Sequence, residues 1–209
     1  MPLYKDFSDA NAHILIWKYD ENEIFNSTEL IESENQNKIL SYHPNKISEF
    51  LMIRKMLKMQ FPKHRIFYKE NGEPYLFPND FEISISHSFP FAALAISKNK
   101  IGIDLEKVKE KIKKIRDKFI LHENNFINEN QEIKYLTAIW CMKEALYKIH
   151  HSKHWSLKKH YEILPFEIKE NFCGKGRVYD GKNEDFFNAR GFFFDDYCFV
   201  IVDSEYISS

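Results

Sequence analysis

The longest helical pattern in the chain runs from Glu129 to His151 and contains neither glycine nor proline. Side chains at every fourth position form one column along the predicted helix: Leu136, Trp140, Glu144 and Lys148. The column changes from apolar residues to a carboxylate and then an ammonium group, which indicates that the helix leaves the core and reaches a cleft near Glu144. The simpler alternative is an exposed Glu–Lys pair, worth about 0.2–0.5 kcal/mol and without a function.

The stretch Ile101–Glu106 alternates in the way that predicts a strand. Its three odd-numbered apolar residues share a buried face, and Gly102, Asp104 and Glu106 share the other. We expect Gly102, which lacks a side chain, to leave the backbone open to a bulky ligand. The two carboxylates lie about 6.6 Å apart, so they repel each other by about 2.5 kcal/mol at an effective dielectric of about 20.

A bridging cation would remove this repulsion, and hard oxygen ligands suit Mg²⁺ better than zinc. Glu144 is then a natural third ligand beside Asp104 and Glu106, and Lys148 lies one helical turn further on, where it can meet a phosphate. The alternative for the two acids alone is an edge strand with a solvated acidic face.

The composition limits the class of protein. The chain has 209 residues, of which 44% are hydrophobic and 16% aromatic, so it can bury a sizeable core and is not expected to be disordered. Its net charge of −1 argues against a general nucleic-acid binder. Three widely spaced cysteines form no disulfide or zinc pattern. With no signal peptide or membrane-spanning run evident, we expect a cytoplasmic protein without a membrane partner.

The N-terminal part predicts strands and helices in alternation. We expect a strand over 12–18, a short helix near 31–42, a helix from Pro44 to about residue 61 and a strand over 65–68. Arg54 lies in the apolar stripe of the second helix, either with its head extended to solvent or as an anion-binding residue. Residues 82–106 predict an antiparallel meander whose first loop carries Ser86 and His87, which offer donors to an anion; a lone loop histidine without a role is the alternative.

The C-terminal part predicts a strand near 161–163 and a closing hairpin of residues 186–194 and 197–202. His150 and His154 are spaced as two metal ligands on a helix would be. We do not expect a metal there, because no glutamate follows the first histidine and the helix is ending.

The segments ISISHSFPFAALAIS, IGIDLE and WCMKEALYK resemble, in order and spacing, the 4′-phosphopantetheinyl transferases of the Sfp type, over about residues 69–163. The resemblance implies an α+β fold of two similar halves related by a pseudo-twofold, here residues 1–100 and 101–209, with coenzyme A in the cleft between them. It also implies a monomer that needs Mg²⁺, with Mn²⁺ as an alternative.

The resemblance also implies roles for particular residues. Three acids resemble the Mg²⁺ ligands: Asp104, Glu106 and Glu144. Four residues resemble those that contact coenzyme A: Ser86, His87, Lys143 and Lys148. Arg54 resembles the arginine that binds the 3′-phosphoadenosine end. A carrier-protein serine would attack the β-phosphate of coenzyme A, with Glu144 as the base and Lys148 on the departing 3′,5′-ADP.

Besides Phe89, which stands where the family often has Gly or Asp after its Ser-His-Ser, the sequence departs from the family pattern at two places. Gly72-Glu73-Pro74 has a glutamate where the family has a phosphate-contacting lysine, so either Lys69 substitutes or the contact is missing. Residues 151–155 replace a Gly-x-Gly-Leu loop. A non-catalytic carrier-binding homologue is therefore one alternative function, and a Mg²⁺-dependent nuclease is another. The sequence does not distinguish acyl carrier proteins of fatty-acid, polyketide and nonribosomal-peptide synthesis.

Overall fold

The computed structural model describes residues 3–31, 33–154 and 156–203. It is a mixed α+β protein in which every pair of hydrogen-bonded strands is antiparallel within these residues. The chain divides into two compact units, Met1–Lys98 and Asn99–Ser209.

The N-terminal unit contains a four-stranded sheet, a separate two-stranded ribbon and one long helix. Its elements are β1 (Leu3–Asp6), β2 (Ala12–Lys18), α1 (Ser27–Leu30), α2 (Ser33–Leu40), α3 (Pro44–Gln60), β3 (Arg65–Tyr68), β4 (Pro74–Phe77), β5 (Glu82–Ser88) and β6 (Phe91–Ser97). The strand order is β1-β2-β6-β5, and β3 pairs with β4.

Local sequence signals explain the long helix of this unit. Pro44 opens α3, and the ring of His43 accepts a hydrogen bond from the Asn45 amide at 3.3 Å, a capping arrangement that satisfies one free amide of the first turn. The helix ends before Pro62, which cannot continue it. Met52, Ile53, Met56 and Leu57 of α3 pack with apolar residues of β2 and β6.

The C-terminal unit contains a five-stranded sheet covered by a second long helix. Its elements are β7 (Ile101–Lys107), 3₁₀ segments at Glu110–Lys118, His122–Asn125 and Glu129–Gln131, α4 (Glu132–Ile149), α5 (Leu157–His160), β8 (Tyr161–Ile163), β9 (Asn171–Tyr179), β10 (Glu184–Phe194) and β11 (Tyr197–Asp203). The strand order is β7-β11-β10-β9-β8.

The predicted meander over 82–106 is correct only in its first half. β5 and β6 form the expected hairpin, but β7 leaves that sheet and pairs with β11, placing Asp104 opposite Val200. The polar turn at 98–100 resembles a hairpin loop, and a turn alone does not show whether the next strand returns to its neighbour or joins a strand far along the chain.

Other predictions had mixed outcomes. The strands over 12–18 and 65–68 and the closing hairpin are confirmed, while β1 and β4 were not predicted. The helix near 31–42 is present as α2, except that residue 32 lies outside the described residues. The pseudo-twofold relation stays a prediction. Among the described residues, no helix is both long enough and apolar enough to cross a membrane.

Candidate active site on strand β7 and helix α4

Strand β7 lies at one edge of its sheet, and α4 packs directly over it. A Cβ atom added to Gly102 would lie 2.1 Å from the carbonyl oxygen of Ala145 on α4, a distance that no real Cβ contact tolerates. The prediction that Gly102 leaves the backbone open to a ligand is therefore wrong. The missing side chain instead allows the helix backbone to approach the strand, which brings α4 over Asp104 and Glu106.

The two acids of β7 share the face of the sheet that α4 covers. Their partners across the ladder are Val200 and Cys198, which belong to the buried core beneath α4. Asp104 is 5% exposed and Glu106 is partly buried. The alternative of a solvated acidic edge is therefore wrong, because α4 covers the face of β7 that carries the two acids.

Glu144 of α4 belongs to the same group of carboxylates. The pKa of Glu144 is raised from 4.5 to about 7, first by burial and second by the charge of Asp104. The pKa of Glu106 is likewise raised, first by burial and then by Asp104. The structure thus brings Asp104, Glu106 and Glu144 into one electrostatic cluster, although about forty residues of sequence separate Glu144 from the two acids of the strand.

Lys148 provides a positive charge within this cluster. Its Nζ donates to Asp104 Oδ1 at 2.7 Å and to the Ile103 carbonyl at 2.9 Å, and 27% of its side chain is exposed. The ammonium group lowers the pKa of Glu144 against the effect of burial. Lys148 is therefore an internal partner of the acids as well as the candidate phosphate contact.

Trp140 is a site residue that sequence reasoning assigned only to the helix column. Its side chain hydrogen-bonds to Glu106, which favours the ionised carboxylate, and the indole packs edge-on against Phe119 with ring centroids 5.2 Å apart. The signal was present in the spacing, since Trp140 lies one helical turn before Glu144. An indole N–H in that position orients the second acid of β7.

Lys143 has surroundings that differ from the predicted phosphate contact. The residue is 0% exposed, and its Nζ lies 2.6 Å from Glu123 Oε1 and donates to the Phe119 carbonyl. Burial lowers its pKa, and Glu123 opposes that effect. The structure does not bring Lys143 to the acid cluster, because one residue along a helix turns the side chain by about 100°.

Glu123 is itself fully held in this interior position. Its two carboxylate oxygens accept hydrogen bonds from the backbone amides of Leu121 at 2.9 Å and Ile163 at 3.1 Å. The Glu123–Lys143 pair therefore ties the segment before α4 to the helix and to β8. It is a buried ion pair with its hydrogen bonds satisfied, which is the condition under which such a pair is tolerated.

The remaining predicted contacts belong to the N-terminal unit. Arg54 is 7% exposed, and its guanidinium carbon lies 3.6 Å from the centroid of the Phe50 ring. The same group hydrogen-bonds to Tyr68, whose pKa is raised by burial and lowered by Arg54. The alternative of a head extended into solvent is wrong for Arg54, because the guanidinium is packed between aromatic side chains.

Ser86 and His87 lie within the last three residues of β5, so the strand extends further than predicted and the two residues belong to it rather than to the loop. Ser86 is 7% exposed, whereas the His87 side chain is 48% exposed and its Nδ1 lies 3.0 Å from Glu49 Oε2. Because a carboxylate oxygen can only accept, this contact assigns a proton to Nδ1 of the ring.

The departure at Glu73 also has a structural counterpart. Lys69 Nζ lies 3.3 Å from Glu73 Oε2, and the Lys69 amide donates to the Glu73 carbonyl across the turn. Glu73, which stands where the family has a lysine, is thus paired with Lys69. Lys69 is the residue that we expected to make the phosphate contact instead. The second departure, residues 151–155, includes Trp155, which lies outside the described residues.

Comparison with known proteins identifies the part of the chain that carries this cluster. Residues 100–202 match the family model of the 4′-phosphopantetheinyl transferase superfamily. The resemblance to this superfamily is confirmed for residues 100–202, and the Sfp type stays a prediction. β7, α4 and the closing strands are thus the superfamily region, and the acids and Lys148 all lie within it.

A curated relative supports the same assignment. The chain is 34% identical over 109 residues to the 4′-phosphopantetheinyl transferase gsp of Aneurinibacillus migulanus. The alignment covers 47% of this chain and 44% of the relative, so the chain spans less than half of the length of that protein. The activity of the whole protein is accordingly a proposal.

Proposed function

We propose that the protein transfers the 4′-phosphopantetheine group of coenzyme A to a serine hydroxyl of an apo acyl carrier protein or carrier domain, releasing 3′,5′-ADP. The observation that carries the proposal is the cluster of Asp104, Glu106 and Glu144 with Lys148, located in the superfamily region. As a member of the two-half Sfp type, it would act as a cytoplasmic monomer.

The donor set of the cluster fits a hard divalent cation. Three carboxylates provide only oxygen ligands, and their mutual repulsion is the cost that a cation removes. Mg²⁺, or Mn²⁺ in its place, would be held by these three acids and would supply neutralisation of charge on the diphosphate. Trp140 keeps Glu106 in position through its hydrogen bond.

Glu144 is the candidate general base. Burial raises the pKa of Glu144 to about 7, and a bound cation would lower it again, so that the carboxylate is ionised at neutral pH and can accept a proton. Its carboxylate oxygen would take the proton of the attacking serine hydroxyl. Lys148, which is bonded to Asp104 but partly exposed, would present its ammonium group to the charge that builds on the departing phosphate.

Binding of coenzyme A is proposed for four further residues. His87, whose ring is held by Glu49, and Ser86 would donate to a phosphate. Arg54 would meet the 3′-phosphoadenosine end, with its planar guanidinium presented by Phe50. A direct phosphate contact of Lys143 stays a prediction, and its burial and its pairing with Glu123 favour a structural role instead.

One incubation tests the proposal. The protein, coenzyme A, Mg²⁺ and a panel of apo carriers are combined, and intact carriers are measured by mass spectrometry. We expect at least one carrier to gain the mass of phosphopantetheine, with an equal amount of 3′,5′-ADP formed. Glu106→Gln should abolish the gain, and Glu129→Gln, which changes an exposed carboxylate, should retain it.

The alternatives give different results in the same experiment. A non-catalytic homologue would bind a carrier without a change in mass. A Mg²⁺-dependent nuclease would cleave plasmid DNA and bind heparin, and its core usually carries the second acid and the lysine on a strand, whereas Glu144 and Lys148 lie on a helix. Binding without transfer for every carrier tested would refute the proposed activity.

A further inference from the structure

A cluster of histidines lies where α4 ends, apart from the carboxylates of the candidate active site. Of the nine histidines in the chain, four lie within a short segment: His150, His151, His154 and His160. The rings are close in space as well. The centroids of His150 and His151 lie 4.4 Å apart, and those of His154 and His160 lie 4.3 Å apart.

An acid from β10 completes the first of these pairs. His150 Nε2 lies 2.9 Å from Asp185 Oδ2. One ligand atom from each of His150, His151 and Asp185 lies within 4.8 Å of the others. An ion placed among these atoms would be shared by two imidazole nitrogens and one carboxylate oxygen.

The environment of His150 favours its neutral, ligating form. The residue is 2% exposed, and burial lowers its pKa; the hydrogen bond to Asp185 opposes this effect, and His151 adds to it. The Ser152 amide donates to Nδ1 at 3.2 Å, which assigns the ring proton to Nε2, on the side of Asp185. Binding of a metal ion at Nε2 would require this proton to move to Nδ1, so that the ring stays neutral and the Ser152 hydrogen bond is exchanged for the metal bond.

Only a small movement of the ligand side chains is needed for them to bind one ion. Ligand atoms around a tetrahedral ion with bonds of about 2.0–2.1 Å lie about 3.4 Å apart. The pair of His150 and Asp185 is already closer than this, and His151 is exposed, so its side chain can turn inward without disturbing the core. Its exposure also leaves a path by which an ion and a water ligand can enter.

His154 offers a further donor. Its Nε2 is buried and has no hydrogen-bond partner among the described residues, and its ring centroid lies 6.5 Å from that of His150. Lys153, the residue before His154, has a positive φ of 48°. The backbone turns at this residue, and the ring of His154 lies near that of His150. The i,i+4 spacing that we discounted in the sequence is thus part of a larger group.

We propose that His150, His151 and Asp185 form a second metal site, which takes a borderline transition-metal ion such as Zn²⁺ rather than Mg²⁺. Imidazole nitrogen selects such ions, while Mg²⁺ prefers oxygen ligands alone. The ion would join the C-terminal end of α4 to β10, two residues after Lys148. The site does not depend on the proposed transferase activity.

The test uses the full chain without an affinity tag, stripped of metal and then placed in excess Mg²⁺ to occupy the carboxylate cluster. Co²⁺ is titrated and followed by its visible absorption, and Zn²⁺ is then added to displace it. We expect one equivalent of Co²⁺ to bind and to be displaced by Zn²⁺. His151→Ala should weaken binding at least about tenfold, because a ligand is lost.

A matched control and a fold check make the result decisive. His122→Ala removes an exposed histidine of the same unit and should leave Co²⁺ affinity unchanged. His151 is exposed, so its variant should unfold at the same urea concentration as the native protein when metal is absent, while Zn²⁺ should raise the midpoint of the native protein only.

Asp185→Asn provides an independent second variant, with the same expected loss of Co²⁺ affinity. The proposal would be overturned by the absence of Co²⁺ binding in excess Mg²⁺. It would equally be overturned if binding survived His151→Ala, or if His122→Ala reduced it as strongly. A failure of the carrier assay would not affect any of these readings.

Discussion

Replacing Glu144 with glutamine should stabilise the metal-free protein at alkaline pH. The pKa of Glu144 is raised from 4.5 to about 7, so the folded state holds the proton more tightly than the unfolded state. The resulting penalty on the folded state is absent below about pH 4.5, grows as pH rises and is complete above about pH 7. A glutamine at this position carries no such penalty.

The magnitude follows from the size of the pKa change. A rise from 4.5 to about 7 corresponds to about 3.4 kcal/mol at full ionisation. Because part of the Glu144 side chain is exposed to solvent, we reduce this to about 2 kcal/mol. At about pH 5.5 Glu144 is ionised in only a small part of the folded molecules, so the penalty on the folded state is less than half of its full value.

Urea unfolding in the presence of a chelator measures the difference. We expect Glu144→Gln to raise the free energy of unfolding by about 2 kcal/mol at about pH 8.5 and by less than about 1 kcal/mol at about pH 5.5. Saturating Mg²⁺ should stabilise the native protein and remove the advantage of the variant. Glu129→Gln is the control and should show no such pH dependence. If Glu144→Gln were neutral or destabilising at alkaline pH, Glu144 would not be part of a repulsive acid cluster.

Three further variants test other parts of the structure. Asp104→Asn should lower the pKa of Glu144, since Asp104 is the largest charged contributor to its rise; a carboxyl NMR titration that left this pKa unchanged would show that the two groups do not interact. Lys143→Met should cost about 3–5 kcal/mol of stability, because it leaves the buried carboxylate of Glu123 without its counter-charge; Glu123→Gln, which removes the charge but keeps an oxygen for a backbone donor, should restore part of this loss in the double variant, and a loss that stayed additive in urea unfolding would contradict the cause. Gly102→Ala should cost at least about 3 kcal/mol, because the added methyl group meets a helix carbonyl at 2.1 Å; an unchanged thermal midpoint would show that α4 does not pack so closely on β7.

Local periodicity predicted the elements that depend on nearby residues. The content of Ile, Leu and Trp in β2, the alternation in β7 and the proline that opens α3 are read from a few neighbouring positions. The partner of β7 was not readable in this way. Pairing with β11 instead of β6 depends on contacts almost one hundred residues away, and a polar turn at 98–100 is compatible with either.

The candidate site shows the same division. The sequence by itself determined which acids are available and, from the helical spacing, that Trp140, Glu144 and Lys148 share a face. Only the tertiary structure decided that Gly102 receives the backbone of α4 and that Lys143 is enclosed with Glu123. His150, at the end of α4, contacts Asp185 because β10, which is distant along the chain, lies beside this histidine. Periodicity fixes the direction of a side chain relative to its own element, and the identity of what it meets there depends on how the elements pack.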